Sequence, residues 1–337
     1  MHHPVVLSAN QPTDRFYRGG PRIAAFRGET AVGNRQPEDW VGSTTTLAGE
    51  TQLGLSHLPD GTLLREAVRL DPIAWLGRAH VDRFGVDTKL LVKLLDAGQR
   101  LPVHAHPAKA FAQQHLGRAH GKAEAWFMLG PGEVYLGLER DVTASELREL
   151  VEEQSVDELV SLLHRRELLP GDTVYVPPGT LHAIGEDTFL VEVQEPEDMS
   201  ILLEWRGFAI DGRTEGHLGL GFDTALGAVD RRGRSADEIS GLITRFAHGD
   251  SILAPASEPY FRLGRHIVAE PGADLAPGFC VVVITAGTIT LATASGWQQE
   301  LARGNTLVVP HSAGRLTATG NGEFVTLRPP VDLEGVL

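Results

Sequence analysis

Two histidine-bearing segments far apart in the chain limit its possible folds more than any other feature. In Leu101-Pro102-Val103-His104-Ala105-His106-Pro107 the histidines stand at i and i+2. Alternate side chains of a strand share a face, so both imidazoles reach the same side. Pro107 ends that strand. The second segment runs from Gly171 to His182, with a strand at Thr173 to Val176, a rigid Pro177-Pro178-Gly179 turn, and a histidine opening the next strand. Glu124 adds a carboxylate after Gly121-Lys122-Ala123, just ahead of the strand-like Ala125-Trp126-Phe127-Met128-Leu129. A lone H-x-H pair in a strand is more often incidental than metal-binding. The G-x5-P-x-G-x2-H segment reverses that balance, because two β segments must then close on a common interior.

Three imidazole nitrogens and one carboxylate oxygen suit Zn²⁺, or another borderline divalent transition metal, better than Ca²⁺ or Mg²⁺, which prefer oxygen shells. The expected metal set is His104, His106, Glu124 and His182, with one ion per chain. Closed structural zinc sites usually use cysteines, and Cys280 is the single cysteine here, so an open coordination position is expected.

Composition points the same way. With 38 Gly and 20 Pro in 337 residues, turns are frequent and mainly β structure is expected. A 42% hydrophobic content is ample for a large core. The formal charge of −14 argues against a nucleic-acid partner. No apolar run reaches membrane-spanning length, and Met1-His2-His3-Pro4 does not open a signal peptide. One cysteine fits a reducing cytoplasm. His2 and His3 are given no role. The four lysines, Lys89, Lys93, Lys109 and Lys122, all crowd around the proposed site.

In order along the chain, residues 5 to 60 suggest short β segments between Gly and Pro turns, including Phe16 to Gly20, Pro37 to Ser43 and Thr44 to Leu47. Thr62 is expected to cap a short helix over residues 62–67. Leu90 to Asp96 reads as a buried strand interrupted by Lys93, whose ammonium must reach water, a carboxylate or a ligand. A snorkelling surface lysine is the plainer expectation. Lys109 to Gln114 suggests a helical loop, with His115 and His120 solvated. Residues 142 to 169 carry the clearest helical pattern, capped by Thr143 and then Ser155. A partly helical linker at 223–255 has Ser235 as a cap.

Gly304-Asn305-Thr306-Leu307-Val308-Val309-Pro310 repeats the G-x5-P of Gly171 to Pro177. In gapless continuation Arg315 takes the place of His182, and no H-x-H lies upstream in residues 258–295. A duplicated β-barrel with one active half is therefore expected. The boundaries are a catalytic domain at 1–222 with a helical insertion at about 142–169, a linker at 223–255, and a second barrel at 256–337 without metal ligands. His311 is expected at the surface.

The two histidine segments resemble the paired motifs of the cupin superfamily, metal-binding jelly-roll barrels. More narrowly, the chain is similar to class I mannose-6-phosphate isomerases of the short bacterial type. The likeness rests on Trp40-x-x-Ser43, Leu91 to Asp96, Val103-x-x-His106-Pro107, Gly121-Lys122-x-Glu124-x-Trp126 and Val176-Pro177-x-Gly179-x-x-His182-Ala183-Ile184. It implies aldose-ketose isomerisation with zinc held by Gln, His, Glu and His. His104 stands where the family has glutamine. The resemblance also implies substrate contacts from Lys122, Trp40, Ser43, Lys93 and Asp198, and it points to Glu192, ten residues past His182, as a catalytic carboxylate. The family's Tyr-Arg pair is missing from Glu195 to Arg206. Asp198 survives, the arginine position is apolar, and Arg206 is a nearby candidate to replace it.

Moving a carbonyl from C1 to C2 requires an α-proton to leave and return through an enediol. A Lewis acid stabilises the developing oxyanion, and Glu192 is the expected base. Lys122 beside Glu124 would support a phosphate or an enediolate. Two other classes fit the residues: three histidines and a glutamate can hold redox metals for oxygenase chemistry, or the barrel can be a non-catalytic sugar-binding regulator. The expected partner is a small sugar or sugar phosphate, and the expected assembly is a monomer or small homo-oligomer.

Overall fold

The β-branched and aromatic runs around the histidine segments form three antiparallel sheets in the computed structural model, which describes residues 3–31 and 33–331. His2 and residues 332–337, the end of the expected second barrel, lie outside the described residues. The protein is mainly β, as expected.

Two sheets make the half that carries the histidines. One has six strands, and its centre is built from Glu38–Val41, Leu91–Asp96, Phe189–Gln194, Glu124–Met128 and Thr173–Val176, paired in that order. The other has five strands and includes His104–Ala105 between Ile201–Leu202 and His182–Ile184. Because side chains alternate, one face of the six-stranded sheet presents Glu38, Trp40, Lys93, Glu192, Glu124 and Trp126 together. Trp40 pairs with Lys93, Lys93 with Glu192, and Glu192 with Trp126, a row straight across four strands. Apolar neighbours fill the remaining space. Leu94, Leu190, Val174 and Trp126 are fully buried, and truncating an indole of this kind costs about 3–5 kcal/mol.

The carboxyl-terminal half is one curved seven-stranded sheet around the long strands Cys280–Thr293 and Leu316–Arg328. Residues on one of its faces, among them Val282, Ile284, Leu307 and Phe324, form a separate core. Val281, Val283, Val325 and Leu327 join the core of the histidine-bearing half instead, so the sheet is buried on both faces. Strands cross between halves. Val5–Leu7 pairs with Thr306–Val309, and Ile243–Thr244 pairs with Thr173–Val176. The repeated G-x5-P segments both place a strand before the proline, Thr173–Val176 and Thr306–Val309.

Several local expectations change. The pair of helices after Thr143 is Ala144–Glu153 and Val156–Ser161, and residues Leu163–Leu168 are a strand because they pair with Gly132–Leu138. Thr143 and Ser235 form complete capping boxes, whereas Ser155 makes no side-chain cap. Thr62 is not a cap either, since the helix starts later, at Leu64, after Leu63. Phe16 to Gly20 and Thr44 to Leu47 are loops, and Arg22–Arg27 forms a helix that the alternation between turns concealed. Lys109–Phe111 is helical as expected and runs on into a π turn at Ala112–Leu116.

Candidate metal centre and cavity

The three histidines and Glu124 meet between the two facing sheets. His104 and His182 are directly opposed on neighbouring strands, and His106 follows one step beyond. The turn bearing Pro177 and Pro178 is pinned to this segment, because Gly179 donates its backbone N–H to His106 O at 2.7 Å. Gly179 has φ of +83° and faces Ala228 O, a backbone shape and a clearance that suit glycine. Gly121 is held as closely: an added Cβ would lie 2.5 Å from Lys109 N. This brings Lys122 against the barrel, with its N–H on Pro107 O at 3.0 Å.

Ligating atoms of His104, His106 and His182 lie within 4.8 Å of one another, and all three residues are buried. Each Nδ1 is hydrogen-bonded to a backbone carbonyl: His104 to Pro102 O at 2.8 Å, His106 to Met199 O at 2.9 Å, and His182 to Thr180 O at 2.8 Å. A donor Nδ1–H leaves each Nε2 as a lone pair, which at His106 faces the Lys122 ammonium, and this is the tautomer found behind metal-bound imidazoles. Glu124 comes from the opposite sheet, with Oε2 2.9 Å from His106 Nε2 and Oε1 3.1 Å from His182 Nε2. His182 Nε2 and Glu124 Oε2 are buried without an aligned hydrogen bond. Orphaned polar atoms converging on one point fit a divalent cation, and the donor set fits a transition metal.

Electrostatics favour the ligand forms. Burial, followed by the neighbouring imidazoles, holds His104 well below the usual histidine range. Burial and then the Lys122 ammonium push His106 down to about 3. Burial alone would raise the Glu124 carboxyl, but Lys122 and the histidines outweigh it and hold it well below the carboxylate range. Lys122 Nζ stands 3.1 Å from Glu124 Oε2 and 2.9 Å from His106 Nε2.

Beside these groups lies a narrow cavity of about 40 Å³ lined by His104, Lys122, Glu124, Glu192, Lys93 and Asp198, among others. Glu192 is buried, and its Oε1 is 3.2 Å from Lys93 Nζ. Burial raises the Glu192 carboxyl, Lys93 opposes that, and the negative Glu124 adds to it. Lys93 is not the snorkelling surface lysine expected. It is 3% exposed, sits over the Trp40 ring, and is held between Glu192 and Glu38.

Other expected residues are placed differently. Trp40 is fully buried, does not line the cavity, and donates Nε1–H to Glu38 Oε2 at 2.6 Å. Ser43 is also buried away from the cavity, with its Oγ on Thr45 O at 3.0 Å. Asp198 reaches the cavity and lies 3.5 Å from Arg15. Arg206 does not reach it; it donates to Glu153 O and lines a separate surface cavity. His115 is exposed as expected, but His120 has its Nε2 2.8 Å from Asp87 Oδ2 rather than being freely solvated. His311 is exposed.

Three cavity residues escaped the sequence reasoning. Glu38 accepts hydrogen bonds from Tyr17 and Trp40 and lies 3.4 Å from Arg15. Burial would raise its carboxyl, yet Arg15, Lys93 and these donors hold it down to about 2. The available signal was period two: Glu38 stands two residues before Trp40 and shares its face. Tyr17 and Arg15 come from a loop, where no periodicity marks them.

Comparisons with known proteins follow the same lines. No family model matches the chain. It is 38% identical over 207 residues to "Probable mannose-6-phosphate isomerase GmuF" of Bacillus subtilis, covering 59% of this chain and 60% of that protein. It is 37% identical over 130 residues to the mannose-6-phosphate isomerase ManA of Bacillus subtilis, covering 38% and 39%. A mannose-6-phosphate isomerase of Streptococcus mutans is 34% identical over 134 residues, covering 38% and 41%. The chain thus spans between 39% and 60% of the length of these curated relatives. Among solved structures, the Bacillus subtilis mannose 6-phosphate isomerase aligns with a TM-score of 0.74 at 20% identity, covering 97% of this chain and all of that one. A variant of the Salmonella typhimurium phosphomannose isomerase aligns with a TM-score of 0.76 at 16% identity, covering 98% of this chain. Those two structures speak to the fold.

Proposed function

We propose, from its likeness to curated mannose-6-phosphate isomerases over part of their length, that the chain is a member of that family and an aldose-ketose isomerase that interconverts mannose 6-phosphate and fructose 6-phosphate, or a related sugar pair, through an enediol. The observation that carries this assignment is the meeting of three Nε2 lone pairs and the Glu124 carboxylate beside a buried carboxyl, Glu192, in one cavity. His104, His106, His182 and Glu124 would hold the metal, for which zinc is our proposal. When bound, it supplies Lewis-acid stabilisation of negative charge developing on the sugar oxygens.

The chain's own groups account for the proton movements. Glu192 takes the proton from C2 of the aldose and returns it to C1, while a second proton passes between the two oxygens, so the reaction is neutral overall. A carboxyl raised by burial is well matched to this task, because its proton affinity is closer to neutrality. Lys93, 3.2 Å away, orients the carboxylate and limits that rise. Lys122 brings a fixed positive charge to the same wall, where it favours an enediolate over a neutral ground state. Buried walls exclude bulk water and keep the transferred proton within the cavity.

Under this proposal residues 1–222 form the catalytic domain, 223–255 the linker, and 256–337 the second barrel, without ligands. The test is direct: protein loaded with zinc is incubated with mannose 6-phosphate and other aldoses, and ketose formation is followed. Conversion of mannose 6-phosphate is expected. No ketose from any aldose would overturn the assignment.

A further inference from the structure

Of the four lysines, Lys93 and Lys122 are buried against the carboxylates already described, and Lys109 is exposed. Lys89 is set differently. Its Nζ lies 3.1 Å from His120 Nδ1, while Asp87 Oδ2 stands 3.8 Å away, beyond hydrogen-bond distance. On the other side of the ring, His120 Nε2 is 2.8 Å from that same Oδ2. Burial raises the Asp87 carboxyl, but the hydrogen bond to His120 and the charges of His120 and Lys89 outweigh it and hold the group below its usual range, as an acceptor. Nε2 therefore carries the donor hydrogen, and Nδ1 offers its lone pair to the lysine nitrogen. Carboxylate, imidazole and amine touch in that order, the order in which an orienting acid, a general base and a nucleophile work.

The backbone fixes this arrangement. Asp87 Oδ1 accepts the Lys89 N–H at 2.7 Å in an Asx turn, and Lys89 has φ of +63°, a left-handed shape that few residues other than glycine take. His80 Nε2 is 2.6 Å from Asp87 O. Access remains, because the Lys89 side chain is 14% exposed against 4% and 6% for Lys93 and Lys122, and Asp87 and His120 line a surface cavity of about 480 Å³. Asp87 and the Phe84 ring, 5.6 Å from Nζ, favour the ammonium, so the base that removes its proton sets its reactivity. The isomerisation uses none of Asp87, Lys89 or His120.

We propose that Lys89 is an acylation site, with His120 as the base that activates it, Asp87 as the positioning residue behind His120, and a small acyl phosphate as the donor. The ammonium first loses one proton through His120 to solvent. Nζ then attacks the acyl carbon: the N–C bond forms, the bond from that carbon to the phosphate oxygen breaks, and His120 Nδ1 takes the remaining proton and returns it to the departing phosphate. The products are an amide on Lys89 and inorganic phosphate, with no change of oxidation state. Phosphate suits this leaving role because its proton affinity is close to that of an imidazole.

The parent and His120→Gln are incubated with acetyl phosphate, and acetylation at each of the four lysines is followed by peptide mass spectrometry. In the parent, Lys89 is expected to react at least about tenfold faster than the more exposed Lys109, a modest share of the ~10²-fold or more that a positioned base supplies. His120→Gln is expected to remove that advantage while Lys109 keeps its rate. A Lys89 rate no higher than that of Lys109, or one that His120→Gln leaves within about twofold of the parent, overturns the proposal. Lys93 and Lys122 report folding in the same experiment, since both are buried. If His120→Gln opens them to the reagent, Asp87→Asn decides instead: it keeps the imidazole and removes the carboxylate behind it. A lower Lys89 rate is then expected, and an unchanged one overturns the proposal.

Discussion

Lys93 and Glu192 stand directly opposite each other on adjacent strands, and their charged atoms meet at 3.2 Å inside the barrel. Glu38 approaches the same ammonium at 3.8 Å from the strand on the other side. One cation therefore serves two buried carboxylates, and removing it leaves both in a poor dielectric environment. Lys93→Met is expected to cost about 3–5 kcal/mol, the range for breaking a buried pair from one side. Adding Glu192→Gln should restore part of that loss. Urea unfolding checks both variants, and a single mutant within about 1 kcal/mol of the parent would contradict the buried pairing.

Glu38 gives a pH-dependent contribution of defined sign. Its folded carboxyl is held to about 2 by Arg15, Lys93 and its hydrogen-bond donors despite burial, while an unfolded glutamate titrates near 4.3. The stabilisation is thus fully present above the unfolded value and fades as pH falls through that range toward 2. The stability difference between the parent and Glu38→Gln, measured by urea unfolding, should shrink by roughly 2–3 kcal/mol between pH 6 and pH 2. A difference independent of pH would show that the network does not hold Glu38 ionised.

Glu192→Gln keeps the shape of the side chain and removes its proton affinity. The expected outcome is full metal content with turnover reduced about 10²- to 10⁴-fold, the usual contribution of a positioned general base. Near-parental turnover in protein with normal metal content would place the base elsewhere.

Much of the candidate metal site was legible because strand periodicity and turn chemistry are local. H-x-H fixes two imidazoles on one face, and Pro-Pro-Gly fixes the turn before His182. The fate of Lys93 was not legible, since a lysine amid Leu91, Val92, Leu94 and Leu95 can end in water or in a buried network, and only cross-strand register decides. Register also selects Glu38 over the other acids near Trp40. Arg15 and Tyr17 belong to a loop whose path depends on tertiary packing. Helix boundaries failed where pairing took over, as at Leu163–Leu168, whose apolar residues continue a helical spacing yet complete the sheet beside Gly132–Leu138. Arg206 shows the opposite limit: proximity in sequence to a missing arginine did not bring it to the cavity.

The central claim is that His104, His106, His182 and Glu124 form one metal-binding centre. Metal analysis of the parent, His106→Ala and His182→Ala after equilibrium dialysis against zinc measures this most directly. The parent should retain about one divalent ion per chain and each variant close to none, as expected when one ligand of a four-donor site is lost. Equal retention by parent and variants, or no retention by the parent, would contradict the account.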